Sequence, residues 1–169
     1  MPFDMQLKKA MGMQNAGPMG QMGGPDSLMA LVNKMGPNQF GSGTGTNERI
    51  AQVGQLWDGK EFKPGQTKRC ADFVSTVIEK SGAAPPGFQR EINCLRLQKY
   101  GRKIERKDLK PGDIVYFGNT YMAGDYTHVG IYTGNNKFVH RPTAAKPVRT
   151  DDLSGYYSNK FCGARRLNG

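Results

Sequence analysis

The stretch His128–His140, HVGIYTGNNKFVH, decides how the chain is read. Two alternating runs flank Gly134-Asn135-Asn136, residues that tolerate positive φ, and this pattern predicts a β-hairpin. Pairing Thr133 with Lys137 across the turn sets Gly130 opposite His140. Because side chains alternate along a strand, His128, Gly130 and His140 then share one face of the sheet. The only two histidines of the chain converge there. As diagonal neighbours their backbones lie about 7 to 8 Å apart, and Gly130, with no side chain, leaves room for both rings.

Working outward, Lys110-Pro111-Gly112-Asp113 reads as a turn feeding the strand Ile114-Val115-Tyr116-Phe117. Upstream of it the apolar period changes to that of helices. Ile50, Val53 and Leu56-Trp57 predict a first helix. A second begins near Thr67, its N-cap, and continues through Cys70, Phe73, Val74, Val77 and Ile78 to a stop at Gly82. Pro85-Pro86-Gly87 turns the chain into a third, Gln89 to Tyr100, closed by Gly101. Helices followed by antiparallel strands indicate an α+β domain, with N-terminal helices packed on the sheet.

The 169 residues allow one domain and a tail. Eight of nine methionines fall within residues 1–35, and residues 1–46 contain neither Tyr nor Trp, a composition that cannot build a core. Residues 1–46 therefore read as a low-complexity tail. It ends in the linker GSGTGT (Gly41 to Thr46) and carries one short amphipathic helix, Leu28, Leu31, Val32 and Met35, suited either to its own domain or to a partner protein. Residues 47–169 form the domain. They hold 21 basic and 12 acidic residues, most of the chain's net charge of +10. No apolar run approaches the roughly 18 residues of a membrane span, and the N-terminus lacks the apolar stretch of a secretory signal.

Cys70 stands near a helix start, where unpaired N–H groups and the helix dipole favour a thiolate; Lys68 and Arg69 push the same way. Heading an apolar stripe, it also fits a small buried core residue. The hairpin tips the balance toward chemistry. A thiolate nucleophile needs an imidazole to take its proton, and that imidazole needs a second polar group to fix its tautomer. His140 can be that group, and so can Asp125 or Asp113. Zinc would require CxxC or HxxxH spacing, which is missing. No cofactor is called for, and Cys94 and Cys162 read as core residues. An odd number of widely spaced cysteines argues against a disulfide framework.

Cys70 in CADFV, then LKPGDIVYF (Leu109 to Phe117), then HVGIYTGNNKFVH, resemble the NlpC family of papain-like cell-wall cysteine peptidases. The similarity runs from about residue 50 to Leu167, including the closing GARRL. The resemblance implies a papain-like NlpC-type fold and a thiol endopeptidase acting on peptidoglycan stem peptides, typically between a γ-linked D-glutamate and the following diamino acid. It makes Cys70 the nucleophile, His128 the base and His140 the third polar residue. Trp57 matches an aromatic lining the cleft. Arg69 and Ala71 stand where the family usually has Asp and Ser, so substrate subsites differ, and Arg69 joins Trp57 as a candidate substrate-binding residue.

From Arg90 to Lys110 there are eight basic and three acidic residues, a solvated face that also suits steering toward anionic cell envelopes. Nucleic acid is not the expected partner, because Tyr100 is the only aromatic in that run. The tail points to other structural proteins and to carriage in a particle such as a phage tail, or to release without a signal peptide. The rival class of function is an assembly module of a virion tail whose hydrolase fold is passive.

Overall fold

The computed structural model describes residues 46–62, 70–143 and 145–168. The helix expected over Leu28–Met35, the linker, Thr67 and Arg69 lie outside them. Two helices lead the described part. Helix α1 (Thr46–Gln55) buries Ile50 and Val53, and α2 (Cys70–Ser81) buries Phe73, Val74, Val77 and Ile78. That is the predicted stripe, and α2 ends as expected at Gly82, whose φ of +72° stops a right-handed helix.

Six strands form one antiparallel sheet in the order β1-β6-β2-β3-β4-β5. They are β1 (Arg102–Ile104), β2 (Ile114–Phe117), β3 (His128–Gly134), β4 (Lys137–His140), β5 (Arg149–Asp152) and β6 (Phe161–Arg166). Ile131 pairs with Val139 and Tyr132 with Phe138, so Gly130 lies opposite His140 in the predicted register. The turn differs by one residue. A bulge pairs Lys137 with Gly134 rather than Thr133, and Asn135 and Asn136 take positive φ of 51° and 58°.

The face of the sheet carrying Ile131 and Val139 packs under the helices. A Cβ added at Gly54 of α1 would come within 2.9 Å of Val139 Cγ1, 3.4 Å of Ile131 Cδ1 and 3.8 Å of Val77 Cγ1. The other face gathers Val115, Phe117, Phe138, Leu153 and Ala164 into a second apolar layer, against which Tyr157 of the short α4 (Gly155–Lys160) packs. The Pro111-Gly112 turn is held by a buried polar centre. Asp113 accepts from Arg166 Nε and Nη2, both at 2.7 Å, from Asn47 Nδ2 at 3.0 Å and from the Lys110 N–H at 2.8 Å.

The third predicted helix is corrected to one turn, α3 (Cys94–Leu97). Ser75 of α2 donates to the Glu91 carbonyl at 2.7 Å and accepts the Glu91 N–H at 3.1 Å, while Arg90 binds Asp72, Thr76 and Glu79. Arg90 and Glu91 thus bond to α2, and the Gln89 N–H goes to the Tyr100 hydroxyl, instead of to a helix of their own. Helix can start only at Asn93, whose Oδ1 accepts the N–H groups of Leu95 and Arg96. Strands β1, β5 and β6 were not foreseen, because RKI, RTDD and FCGARR carry little apolar alternation.

Candidate active site

Cys70 opens α2 and His128 opens β3, and both line a cleft of about 730 Å³ with Cys94, Tyr121, Asp125 and Arg141. The mouth is apolar. Ile92, Leu95, Tyr121 and Met122, four of the exposed large hydrophobic residues, also line it.

The two histidines meet as the register requires. His128 Nε2 lies 2.7 Å from His140 Nδ1, and His140 Nε2 lies 2.7 Å from Asp151 Oδ2, which also accepts from Arg149 Nε at 2.7 Å. The strand pairing explains the last contact. Phe138 faces Asp151 and His140 faces Arg149, so Asp151 is one diagonal step from the imidazole. Phe117 and Tyr157 flank the His128 ring, and Phe138 and Tyr157 the His140 ring, with Tyr157 5.2 Å from His140 edge-on. His128 and His140 are 3% and 0% exposed.

Burial sets the charges. Desolvation, then the neighbouring His128, pushes His140 down to about 4, so it is neutral near pH 7. Burial pushes the Asp151 carboxyl up, but its hydrogen bonds to His140 and Arg149 more than reverse this and hold it below the usual value. An ionised Asp151 accepts the His140 Nε2–H. His140 Nδ1 is then a bare acceptor, and His128 must donate its Nε2–H to it. This leaves His128 Nδ1 for the sulfur.

Cys70 Sγ lies 3.5 Å from Cys94 Sγ and 3.6 Å from the Tyr121 hydroxyl. Its thiol is held well below the ordinary value, chiefly by the Cys94 hydrogen bond; burial opposes this, and a hydrogen bond and charge from His128, with Tyr121, add to the lowering. Cys94 is pushed up by the same contact and by burial. All three cysteines are free.

Cys70 and His128 therefore meet in one cleft, and His140 sits buried behind His128 rather than on the cleft wall. Trp57 is not among the residues lining it. It is 4% exposed and packs with Phe62 and Phe73, ring centroids 5.5 and 6.1 Å away. Arg69 lies outside the described residues. Of the two alternative carboxylates, Asp113 is taken by Arg166, Asn47 and Lys110, and Asp125 lines the cleft. Asp151, Cys94 and Tyr121 are the additions that sequence reasoning missed. Among the described residues, no group of three or more His, Cys, Asp or Glu is arranged to hold a metal ion.

The family model described as NlpC/P60 matches residues 56–166, from just before Trp57 through the last strand. The chain belongs to the NlpC/P60 family. Its curated relatives in this family include the murein DD-endopeptidase MepS/murein LD-carboxypeptidase of Escherichia coli (strain K12), 30% identical over 112 residues, covering 66% of this chain and 57% of the relative. Another is the gamma-DL-glutamyl hydrolase of Bacillus subtilis (strain 168), 37% identical over 105 residues, covering 62% of this chain and 24% of that one. Among solved structures, an NlpC/P60 family protein from Bacillus cereus superposes with a TM-score of 0.60 at 22% identity, over 73% of this chain and 40% of the other. The NlpC/P60 domain here thus spans about a quarter to three-fifths of these proteins. The helices and antiparallel sheet are those of NlpC/P60 structures.

Proposed function

We propose that this NlpC/P60 chain is a cysteine endopeptidase of peptidoglycan, cleaving amide bonds of stem peptides beside a γ-linked D-glutamate. One observation carries the reading: a depressed thiol and His128, the outer member of the relay His128–His140–Asp151, line the same cleft. Relatives named as a murein endopeptidase and a γ-glutamyl hydrolase support the substrate class.

In the mechanism, His128 Nδ1 takes the Cys70 proton, and the imidazolium is stabilised through its Nε2–H by neutral His140, itself oriented by Asp151. The thiolate attacks the amide carbonyl. The oxyanion is received by backbone N–H groups at the start of α2. His128 then protonates the leaving amine, the C–N bond breaks, and a thioester remains on Cys70. Water, deprotonated by the same imidazole, attacks the thioester; the acid leaves and the thiol is regenerated. Delivery to the wall falls to residues 1–46, whose Met-rich composition suits docking into a larger assembly such as a phage tail.

The test is release of stem peptides from purified sacculi by wild-type and Cys70→Ala protein. Loss of release with the variant is expected; equal release would remove Cys70 from the chemistry. Deleting residues 1–46 should abolish copurification with assembly proteins while sparing hydrolysis in solution.

A further inference from the structure

The hydrolytic scheme gives Cys94 no part, yet its sulfur lies 3.5 Å from Cys70 Sγ, and the two remain free thiols. Its placement is built. Ser75 fixes the Glu91 backbone, Asn93 caps the turn, and Cys94 is delivered as the first residue of α3, 7% exposed, against the first residue of α2. Two sulfurs at this distance share one proton along the contact, so one is donor and the other acceptor.

The surroundings decide which. His128 from β3 and the Tyr121 hydroxyl from the loop after β2 both face Cys70 Sγ, and the Arg141 charge beyond β4 acts on it. Every one of these favours a negative sulfur at position 70. Cys94 has no such company: Cys70, burial, Cys162 and the Tyr116 hydroxyl disfavour its anion, and against them stands a single backbone hydrogen bond. Cys94 therefore keeps its proton.

We propose that Cys94 is a hydrogen-bond donor to the Cys70 thiolate, holding the nucleophile ionised and aimed into the cleft before substrate arrives. This rests on Cys70 being the nucleophile. The donor stabilises the anion and so raises the fraction of thiolate at neutral pH, at the cost of a slightly lower reactivity of each thiolate. A small buried core residue in the same place would do neither.

The experiment is the rate of Cys70 alkylation by iodoacetamide from pH 4 to 10, read by mass spectrometry on the peptide carrying Cys70, in the full chain. Cys94→Ala and Cys94→Val both remove the donor, and Val refills the space, so a folding defect in one does not remove the test; thermal unfolding confirms that each is folded. Both should move the alkylation midpoint up by about one pH unit, a rate roughly tenfold lower below the two midpoints, with an equal or faster plateau above them. Cys94→Ser keeps a donor and should stay near wild type. Midpoints of the Ala and Val variants unchanged from wild type, or a Ser midpoint as high as theirs, overturn the proposal. The peptidase reading fails separately, by stem-peptide release from Cys70→Ala, and neither result depends on the other.

Discussion

His140 Nε2 and Asp151 Oδ2 lie 2.7 Å apart across neighbouring strands, and that contact decides which nitrogen of His128 is left for the cleft. With the Asp151 carboxylate accepting from His140, the proton between the two rings belongs to His128 Nε2, which leaves His128 Nδ1 on the side of the cleft.

Breaking this contact should cost turnover rather than binding. Asp151→Ala is expected to lower kcat on a γ-D-glutamyl peptide roughly 10- to 100-fold with little change in KM. Steady-state kinetics of the purified variant provide the check, and a kcat equal to wild type would take Asp151 out of the relay.

The same burial makes the fold sensitive to acid. Folded His140 stays unprotonated down to about pH 4, whereas an unfolded histidine titrates near its ordinary 6.5. Between these values the unfolded chain binds the extra proton, so stability is fully present above about pH 6.5 and is drained as pH falls toward 4. The gap corresponds to about 3 kcal/mol. Urea unfolding at pH 7 and pH 4.5 should show this loss in wild type and a smaller one in His140→Asn; equal slopes in the two proteins would contradict it.

Gly130 is required by the approach of the hairpin strands. A Cβ there would stand 2.7 Å from Phe138 Cδ2, 3.1 Å from His140 Cβ and 3.1 Å from the Val139 carbonyl. Gly130→Ala should destabilise the domain by about 1–3 kcal/mol and displace His140, lowering activity further than the stability loss alone explains. Comparing the unfolding midpoint with kcat at a temperature where the variant is folded separates the two effects.

Away from the site, Arg166 supplies the charge that permits Asp113 to be fully buried. Arg166→Met leaves that carboxylate without its partner and should cost about 3–5 kcal/mol. Adding Asp113→Asn, whose neutral amide needs no counter-ion, should recover part of it. A double variant no more stable than the single one would argue that shape, not charge, is what Arg166 supplies.

Much of the candidate site was legible because strand alternation is a local rule. The turn residues Asn135 and Asn136 and the period of two put His128, Gly130 and His140 on one face, and Cys70 headed its helical stripe at a helix start. Other parts were not legible. Gln89 to Tyr100 has an acceptable helical pattern, and only the bonds of Arg90 and Glu91 to α2 explain why helix forms over one turn. Trp57 looked like a cleft aromatic, but its position against Phe62 and Phe73 depends on how α2 packs.

The amino-acid order by itself determined the hairpin, its register and the convergence of two imidazoles, since backbone preference and side-chain alternation act over a few residues. Tertiary structure alone decided that Asp151 stands behind His140 and that Cys94 meets Cys70. Both partners come from elements whose own patterns are silent, and long-range strand pairing and side-chain-to-backbone bonds place them there.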